Sequence, residues 1–170
     1  MNIKNWLDQK YNFLVSLRRH LHQYPEIGFQ EHQTSKYLQK LMKDAGYDIM
    51  TNPEMKTGFY CEYGNGDGPV ICIRTDMDAL SMQDLKTCDF HSKNDGVMHG
   101  CGHDVHMSIT SGLALWVMEN KLEFPGRIRF LFQPAEEQLP GGSLDMIHGG
   151  ALDGVDMILG YHVLPKLETG

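Results

Sequence analysis

The sequence lacks the long apolar runs that mark membrane proteins and secreted precursors. None of its 170 residues starts a run of about eighteen apolar side chains, so no membrane-spanning helix is predicted. The first residues, Met-Asn-Ile-Lys-Asn-Trp, lack the apolar core of a signal peptide. We therefore expect a cytoplasmic protein that has no membrane partner and that folds as one domain.

Positive charge is also scarce. The chain has 15 Lys and Arg against 22 Asp and Glu, which gives a formal net charge of −7, and its longest basic run is Arg18-Arg19. A protein that binds nucleic acid needs clustered cations to neutralise phosphates, so this class of partner is excluded. Acidic residues instead crowd the motifs discussed below, where bound cations would relieve their repulsion. They are Asp76, Asp78, Asp104, Glu136 and Glu137.

Cysteine is sparse and unpaired in sequence. The four cysteines form no C-x-x-C pair, so a disulfide framework is not expected. Cys61 and Cys72 lie in apolar, strand-like runs and are predicted to be small core residues. Only Cys101 has neighbours that suggest chemistry.

Hydrophobic periodicity predicts alternating helices and strands. Helices are predicted over residues 4–22, 31–45, 105–120 and 143–148, and strands over 58–63, 70–74, 126–132 and 156–161. This alternation indicates an α/β fold, a doubly wound layer sandwich with a mostly parallel central sheet.

Several local features refine this prediction. Pro25 ends the first helix, Gly46 ends the second, and Asp104 is the expected N-cap of the third. Residues 58–63 and 70–74 flank a Gly-rich turn and suggest a β-hairpin or two neighbouring strands. The strand at 156–161 is expected to be buried, residues 81–98 to be irregular, and His20 and His22 to lie on the helix surface or at its end.

The segment His99-Gly-Cys-Gly-His-Asp104 is the most informative feature that is present. In an extended segment, residues two apart share a face, so Cys101 and His103 can bind one metal ion together. The alternative is a glycine-rich turn that contains a buried cysteine and a capping aspartate. The segment alone does not decide between them.

Polar residues with metal-binding side chains recur after the predicted strands. They are Asp76, the pair Glu136-Glu137, and His162. Ligands of open α/β sheets bind beyond the carboxyl ends of the strands. One glutamate can bind metal while the other accepts a proton from a metal-activated water, whose pKa falls toward about 7. Solvated glutamates and a hydrogen-bonded histidine are the alternative interpretation.

Together these motifs resemble those of the aminoacylase-like metallo-amidohydrolases, a family that includes hippurate hydrolase, N-acetyldiaminopimelate deacetylase and the auxin-conjugate hydrolases. The resemblance is carried by Arg74-Thr-Asp-Met-Asp-Ala-Leu80, Met98-His-Gly-Cys-Gly-His-Asp104, Phe132-Gln-Pro-Ala-Glu-Glu137 and Gly160-Tyr-His-Val163, with Arg18-Arg-His-Leu-His-Gln-Tyr-Pro-Glu-Ile-Gly28 before them. Ser81 and Gly100 depart from a frequent proline and a frequent alanine.

The resemblance implies a role for each motif residue. It implies metal ligands at Cys101, His103, Glu137 and His162. Their mixed sulfur, nitrogen and oxygen donors allow one or two divalent ions, which could be Zn, Mn, Co or Ni. The resemblance makes Glu136 the general base and Asp76 a catalytic position that orients or tunes a ligand. Asp78, Asp104 and His106 either support the site or have structural roles.

Family members are about twice as long as this chain. The resemblance therefore implies that residues 1–170 are the N-terminal portion of the catalytic domain, an incomplete version of the family fold. The lid or dimerisation domain and the C-terminal segment would be absent, and oligomers are expected only of full-length members.

The leading functional hypothesis is a metal-dependent amidohydrolase that cleaves small N-acyl amino acids into a carboxylic acid and an amino acid. A second hypothesis is a truncated, catalytically incompetent domain that keeps the fold and a partial metal site. A third makes Cys101 a nucleophile activated by His103 or His106.

Overall fold

The computed structural model describes residues 2–168 as a five-stranded mixed sheet with helices on both faces. The helices are α1 (Ile3–Gln23), α2 (His32–Ala45), α3 (His103–Glu119) and α4 (Gly142–His148), with a short 3₁₀ turn at Pro53–Met55. The strands are β1 (Ile49–Met50), β2 (Phe59–Tyr63), β3 (Val70–Asp76), β4 (Arg127–Gln133) and β5 (Met157–Leu159). No helix within residues 2–168 has the length and apolar character needed to cross a membrane.

Four of the five strands run in the same direction, which confirms the predicted α/β class with a mostly parallel sheet. The strand order is β1-β2-β4-β3-β5. β3 pairs in parallel with β4 and β5, whereas β2 is antiparallel to both β1 and β4.

The predicted pairing of residues 58–63 with 70–74 is wrong, because β4 lies between β2 and β3. The chain leaves β3, passes through α3 and returns as β4 beside β3. The other edge of β4 then pairs with β2, where Phe59 stacks on Phe132 with ring centroids 4.4 Å apart. Burying these two rings favours this order, since a fully buried Phe side chain contributes about 1.5–3 kcal/mol.

Two apolar clusters cover the faces of the sheet. The larger packs α1, α2 and α3 against one face through residues such as Leu17, Met42, Met107 and Phe130. The smaller packs α4 against the other face around Met146. Cys61 belongs to the first cluster and Cys72 to the second, which confirms that both are core residues.

The predicted burial of the last strand is wrong. Met157, Ile158 and Leu159 are each about half exposed, at 54%, 49% and 48%. Within residues 2–168, β5 pairs with β3 alone. The prediction failed because an apolar sequence identifies a strand but not the elements that cover it.

The start of α3 also differs from the prediction. The N-cap is Gly102, with a left-handed φ of 104°, and not Asp104. The Asp104 side chain is fully buried and lies 2.8 Å from Arg18 Nε and 2.6 Å from His22 Nδ1. The contacts with Arg18 and His22 on α1 outweigh the local capping preference of aspartate.

Candidate metal centre

Three strand ends and the start of α3 meet at one edge of the sheet. β3 ends at Asp76 and β4 at Gln133, and these two residues are paired in the parallel register. The Glu136-Glu137 turn follows β4, His162 follows β5, and Cys101 and His103 lie where the chain enters α3. Folding therefore gathers residues that are up to 86 positions apart, from Asp76 to His162.

His103 is the centre of this arrangement. It is 1% exposed, and its Nδ1 donates a hydrogen bond of 2.9 Å to the backbone oxygen of Asp78. That bond fixes the tautomer and leaves the Nε2 lone pair free. Nε2 is buried and has no hydrogen-bond partner in the described part of the chain. Its neighbours are carboxylate oxygens of Asp76, Glu136 and Glu137, each 3.7 Å away.

Cys101 and His162 lie beside His103. The Cys101 Sγ is 3.2 Å from His162 Nε2, and His162 Nδ1 donates to the Val163 backbone oxygen at 2.7 Å. With Nδ1 engaged in this way, the Nε2 of His162 faces the Cys101 sulfur and the cluster. The ligand atoms of Cys101, His103 and His162 all lie within 4.8 Å of one another, and so do those of His103, Glu136 and Glu137.

The donor set fits a divalent metal ion. An orphaned, buried imidazole nitrogen surrounded by carboxylates is costly unless a cation or proton occupies the space between them. Sulfur, nitrogen and oxygen donors together suit first-row transition metals. The four predicted ligands Cys101, His103, Glu137 and His162 are among the side chains brought together here.

Asp76 lies beside His103 and is held in place by two other side chains. Its Oδ1 accepts a hydrogen bond of 2.8 Å from His106 Nδ1, and its Oδ2 accepts one of 2.7 Å from Arg74. Burial alone would raise the pKa of Asp76, but the bond from His106 and the charges of His103 and Arg74 outweigh it and lower that pKa. Asp76 is thus an anion at neutral pH that faces His103 Nε2.

His106 links two parts of the site. Its Nδ1 is bonded to Asp76, and its Nε2 accepts a hydrogen bond of 3.0 Å from the Val163 backbone N–H. Asp76, His103 and His106 form a third compact group, but both ring nitrogens of His106 are already engaged. His106 therefore connects β3 to the His162 segment and leaves no lone pair for a metal.

Asp78 holds His103 and Glu137 in place. Its Oδ1 lies 3.3 Å from His103 Nδ1, and its Oδ2 accepts a hydrogen bond of 2.9 Å from the Glu137 backbone N–H. Burial would raise the pKa of Asp78, but the bond with His103 prevails and lowers it. The sequence alone leaves the role of Asp78 open, although the spacing Asp76-Met-Asp78 in an extended segment places both carboxylates on one face.

His22 lies in the last turn of α1, near the predicted helix end, but it is buried and the alternative of a surface position is wrong. His22 is 1% exposed, and its Nδ1 donates to Asp104 while Lys86 Nζ lies 3.2 Å from its Nε2. The partners come from α3 and from the irregular segment 81–98, so no local pattern reveals them. His20 is half-buried and stacks on Tyr37.

The site disfavours a free thiolate in the absence of a cation. Burial and the neighbouring carboxylates of Glu137, Glu136 and Asp76 raise the pKa of the Cys101 thiol to about 12. A thiol nucleophile needs the opposite shift, since the thiolate is the reactive form. A bound divalent cation would reverse the local electrostatics and deprotonate the sulfur.

Comparison with known proteins identifies relatives along nearly the whole chain. Residues 72–170 match the model of peptidase family M20/M25/M40. An N-acyl-L-amino acid amidohydrolase from Geobacillus stearothermophilus is 40% identical over 168 residues, which cover 99% of this chain and 45% of that protein. An N-acetylcysteine deacetylase from Bacillus subtilis is 42% identical over 158 residues, which cover 92% of this chain and 41% of that protein.

A solved structure supports the same relationship. The Bacillus subtilis YXEP protein, described as a dinuclear metal binding peptidase, superposes with a TM-score of 0.89 at 40% identity. The match covers 94% of this chain and 45% of that one. The chain thus spans less than half the length of these relatives. It belongs to peptidase family M20/M25/M40.

Proposed function

We propose that this chain carries the metal-binding part of the catalytic domain of a divalent-metal-dependent amidohydrolase that acts on N-acyl amino acids. The buried His103 Nε2, which faces three carboxylates within reach of Cys101 and His162, carries the proposal. The relatives support the reaction and the substrate class by their names, an N-acyl-L-amino acid amidohydrolase and an N-acetylcysteine deacetylase.

The proposed ligands are Cys101, His103, Glu137 and His162. One or two divalent ions held there would supply Lewis acidity, which lowers the pKa of water and polarises the amide carbonyl. Dinuclear metal binding in the YXEP relative is consistent with this number of ions. The backbone oxygen of Asp78 accepts the His103 Nδ1–H, and its carboxylate accepts the Glu137 backbone N–H, so one residue aligns two proposed ligands.

Glu136 is the proposed general base. Its side chain is 42% exposed, against 26% for Glu137, and its Oε2 lies 3.7 Å from His103 Nε2. It is thus the more accessible of the two to solvent while it stays close to the proposed metal position. Glu136 would take the proton of the attacking water at its Oε2 and return it to the leaving nitrogen.

Asp76 is proposed to act without touching the substrate. Its negative charge faces His103 Nε2, and Arg74 and His106 fix its orientation. It would favour a cation at the proposed position and tune the electron density of the His103 ligand. Because the relatives are more than twice as long, we also propose that residues 1–170 form the N-terminal portion of a longer catalytic unit.

A hydrolysis assay with controlled metal content tests this function. Hippurate and N-acetyl amino acids are incubated with the chain after chelation and again after addition of Mn²⁺ or Zn²⁺. We expect metal-dependent turnover that Glu136→Gln abolishes while metal binding stays intact. Glu123→Gln, which changes an exposed glutamate before β4, is the matched control and should behave as the wild type.

Two results would contradict the proposal. Turnover that resists chelation but is lost on alkylation of Cys101 by iodoacetamide would establish a thiol enzyme instead. A chain that binds neither Mn²⁺ nor Zn²⁺ would remove the metal centre on which the proposal rests. Metal bound without any hydrolysis would instead show that residues 1–170 hold the ion but need the rest of the longer catalytic unit for turnover.

A further inference from the structure

A buried carboxylate that the proposed mechanism does not use lies under the Glu136-Glu137 turn. Glu31 precedes α2 and is 0% exposed. Its Oε1 accepts a hydrogen bond of 2.8 Å from the Ala135 backbone N–H, and its Oε2 accepts one of 2.7 Å from the Thr57 hydroxyl. Burying a carboxylate is costly even when it is hydrogen-bonded. Burial accordingly raises the pKa of Glu31 above its ordinary value.

The residue that Glu31 holds is strained. Ala135 has a φ of +47° and is 0% exposed. An L-residue in the left-handed region costs about 1–2 kcal/mol, and such strain persists only where surrounding contacts enforce it. The Ala135 carbonyl also accepts a hydrogen bond of 2.9 Å from Gly142 N–H. Both backbone groups of this strained residue are therefore fixed from outside the turn.

The partners of Glu31 form a tight junction. Lys56, next to Thr57, and Phe29, two residues before Glu31, also have positive φ, at 56° and 61°. A Cβ added to Gly28 would lie 3.0 Å from the Ala135 Cβ. Within residues 2–168, four non-glycine residues have positive φ. Three of them, Phe29, Lys56 and Ala135, lie next to Glu31 or its hydrogen-bond partners.

The turn determines where the two functional glutamates lie. Ala135 directly precedes Glu136 and Glu137, whose carboxylates each come within 3.7 Å of His103 Nε2. On the far side, Asp78 accepts the Glu137 backbone N–H. The turn is therefore held at both ends by buried carboxylates, at residue 135 by Glu31 and at residue 137 by Asp78.

We propose that Glu31 is a positioning residue that clamps the Ala135 amide and thereby holds Glu136 and Glu137 at the metal centre. The inference rests on the proposed function, because it assigns metal binding and proton transfer to those two glutamates. It goes beyond that function in naming a residue that touches neither metal nor substrate.

The first test compares variants at both ends of the Glu31 contacts. Glu31→Ala removes the acceptor of the Ala135 N–H, and we expect Mn²⁺ or Co²⁺ affinity to fall by about 10–100-fold, as for other residues that orient ligands. Glu31→Gln retains an oxygen for that N–H and should restore most of the affinity. Thr57→Val removes the other hydrogen bond and should lower the thermal unfolding midpoint while leaving metal affinity within about threefold of wild type.

A rescue experiment separates positioning from general stability. Glycine adopts positive φ without the penalty that alanine incurs, so Glu31→Ala combined with Ala135→Gly should recover part of the lost affinity. A role limited to stability predicts no recovery. If Glu31→Ala does not fold, Glu31→Asp replaces it. That variant keeps the charge but is one methylene too short to reach both partners, and the same loss of affinity is expected.

Hydrogen exchange on the metal-free chain gives a readout that does not depend on metal. In Glu31→Ala the amides of residues 135–137 should exchange faster, while those of β4 should not change. Unchanged exchange and unchanged affinity would overturn the inference, as would equal losses of affinity in Thr57→Val and Glu31→Ala. If the wild type binds no metal, the proposed function fails, whereas the exchange data still decide whether Glu31 clamps the turn.

Discussion

His103 and His162 approach the same cluster from opposite sides and are held in very different ways. His103 is 1% exposed and is the first residue of α3. Its Nδ1 donates to the backbone oxygen of Asp78, two residues after the end of β3. His162 is exposed, and its Nδ1 is bonded only to the carbonyl of its own neighbour, Val163. Folding thus preorganises the β3 and α3 side of the centre, whereas the β5 side depends on fewer contacts.

Two hydrogen bonds of the segment after β5 are made to one residue, His106. The Val163 N–H donates to His106 Nε2 at 3.0 Å, and the Tyr161 hydroxyl donates to the His106 backbone oxygen at 2.6 Å. β5 itself is about half exposed along its length. Binding a cation at the centre would therefore cost little conformational entropy at His103, which is already held in place, and more at His162.

The largest expected effect is the difference between removing the two histidines. His103→Ala should lower metal affinity by more than about 100-fold, the upper end of what changes around a ligand cause, because His103 belongs to all three ligand groups. His162→Ala should cost roughly tenfold, since water can replace an exposed ligand. Calorimetric titration with Mn²⁺ or Zn²⁺ measures both, and His148→Ala, an exposed histidine of α4, is the control. Equal losses at both histidines would mean that the two sides of the centre are equally preorganised.

The pH dependence of metal binding is the next largest effect. The pKa of the Cys101 thiol is raised by burial and nearby carboxylates to about 12, and that of His103 is raised by Asp78 and Asp76 against the effect of burial. Both groups must lose protons to bind a cation, so affinity rises with pH, by about tenfold per unit for each proton released. Titrations from pH 6 to pH 8 test this, and Cys101→Ser should reduce the slope by about one proton. A flat profile would exclude the thiol as a ligand.

The contact between Asp78 and His103 is the next test of preorganisation on the β3 and α3 side of the centre. Asp78→Asn weakens the contact with His103 Nδ1 and should reduce metal affinity by about 10–100-fold. Asp67→Asn changes an exposed aspartate before the opposite end of β3 and should have no effect. The same titration applied to both variants makes the comparison. An unchanged affinity in Asp78→Asn would mean that the backbone bond to His103 is sufficient.

The smallest expected effect tests the β5 side through a glycine. Gly102 has a φ of +104°, and a Cβ there would overlap the Val163 Cγ2 methyl. Gly102→Ala should cost about 1–2 kcal/mol of unfolding free energy from strain, and should weaken metal binding by a few-fold by displacing the His162 segment. Gly154→Ala has similar strain, with a φ of +69° and open space around the new methyl, and should lower stability alone. Urea unfolding and metal titration of both variants separate strain from displacement, and equal metal affinities would show that Val163 moves freely.

The sequence predicted those parts of the site that depend on local spacing and on the ends of strands. The Cys101-x-His103 spacing, the two glutamates after β4 and the histidine after β5 identify side chains that the fold brings together. The α/β class follows from periodicity in the same way. These features share a cause, because each strand carries its polar residues to the same edge of the sheet.

The remainder depends on contacts between distant parts of the chain. Glu31 and Ala135 are 104 residues apart, and His22 and Asp104 are 82 apart, so neither pair has a local signature. Asp104 has the residue type of an N-cap, but Arg18 and His22 hold its side chain elsewhere. The position of β4 between β2 and β3 is likewise a long-range result, because residues 59–63 pair with 128–132 and no pattern within either strand identifies its partner.

The most direct test is anomalous diffraction from crystals of the chain loaded with Mn²⁺ or Zn²⁺. The account predicts a peak between Cys101 Sγ, His103 Nε2 and the Glu137 carboxylate, at bonding distances of about 2.0–2.3 Å for zinc. Collection above and below the absorption edge identifies the element. Full metal loading with the peak elsewhere, or with His103 Nε2 outside the coordination sphere, would contradict the account.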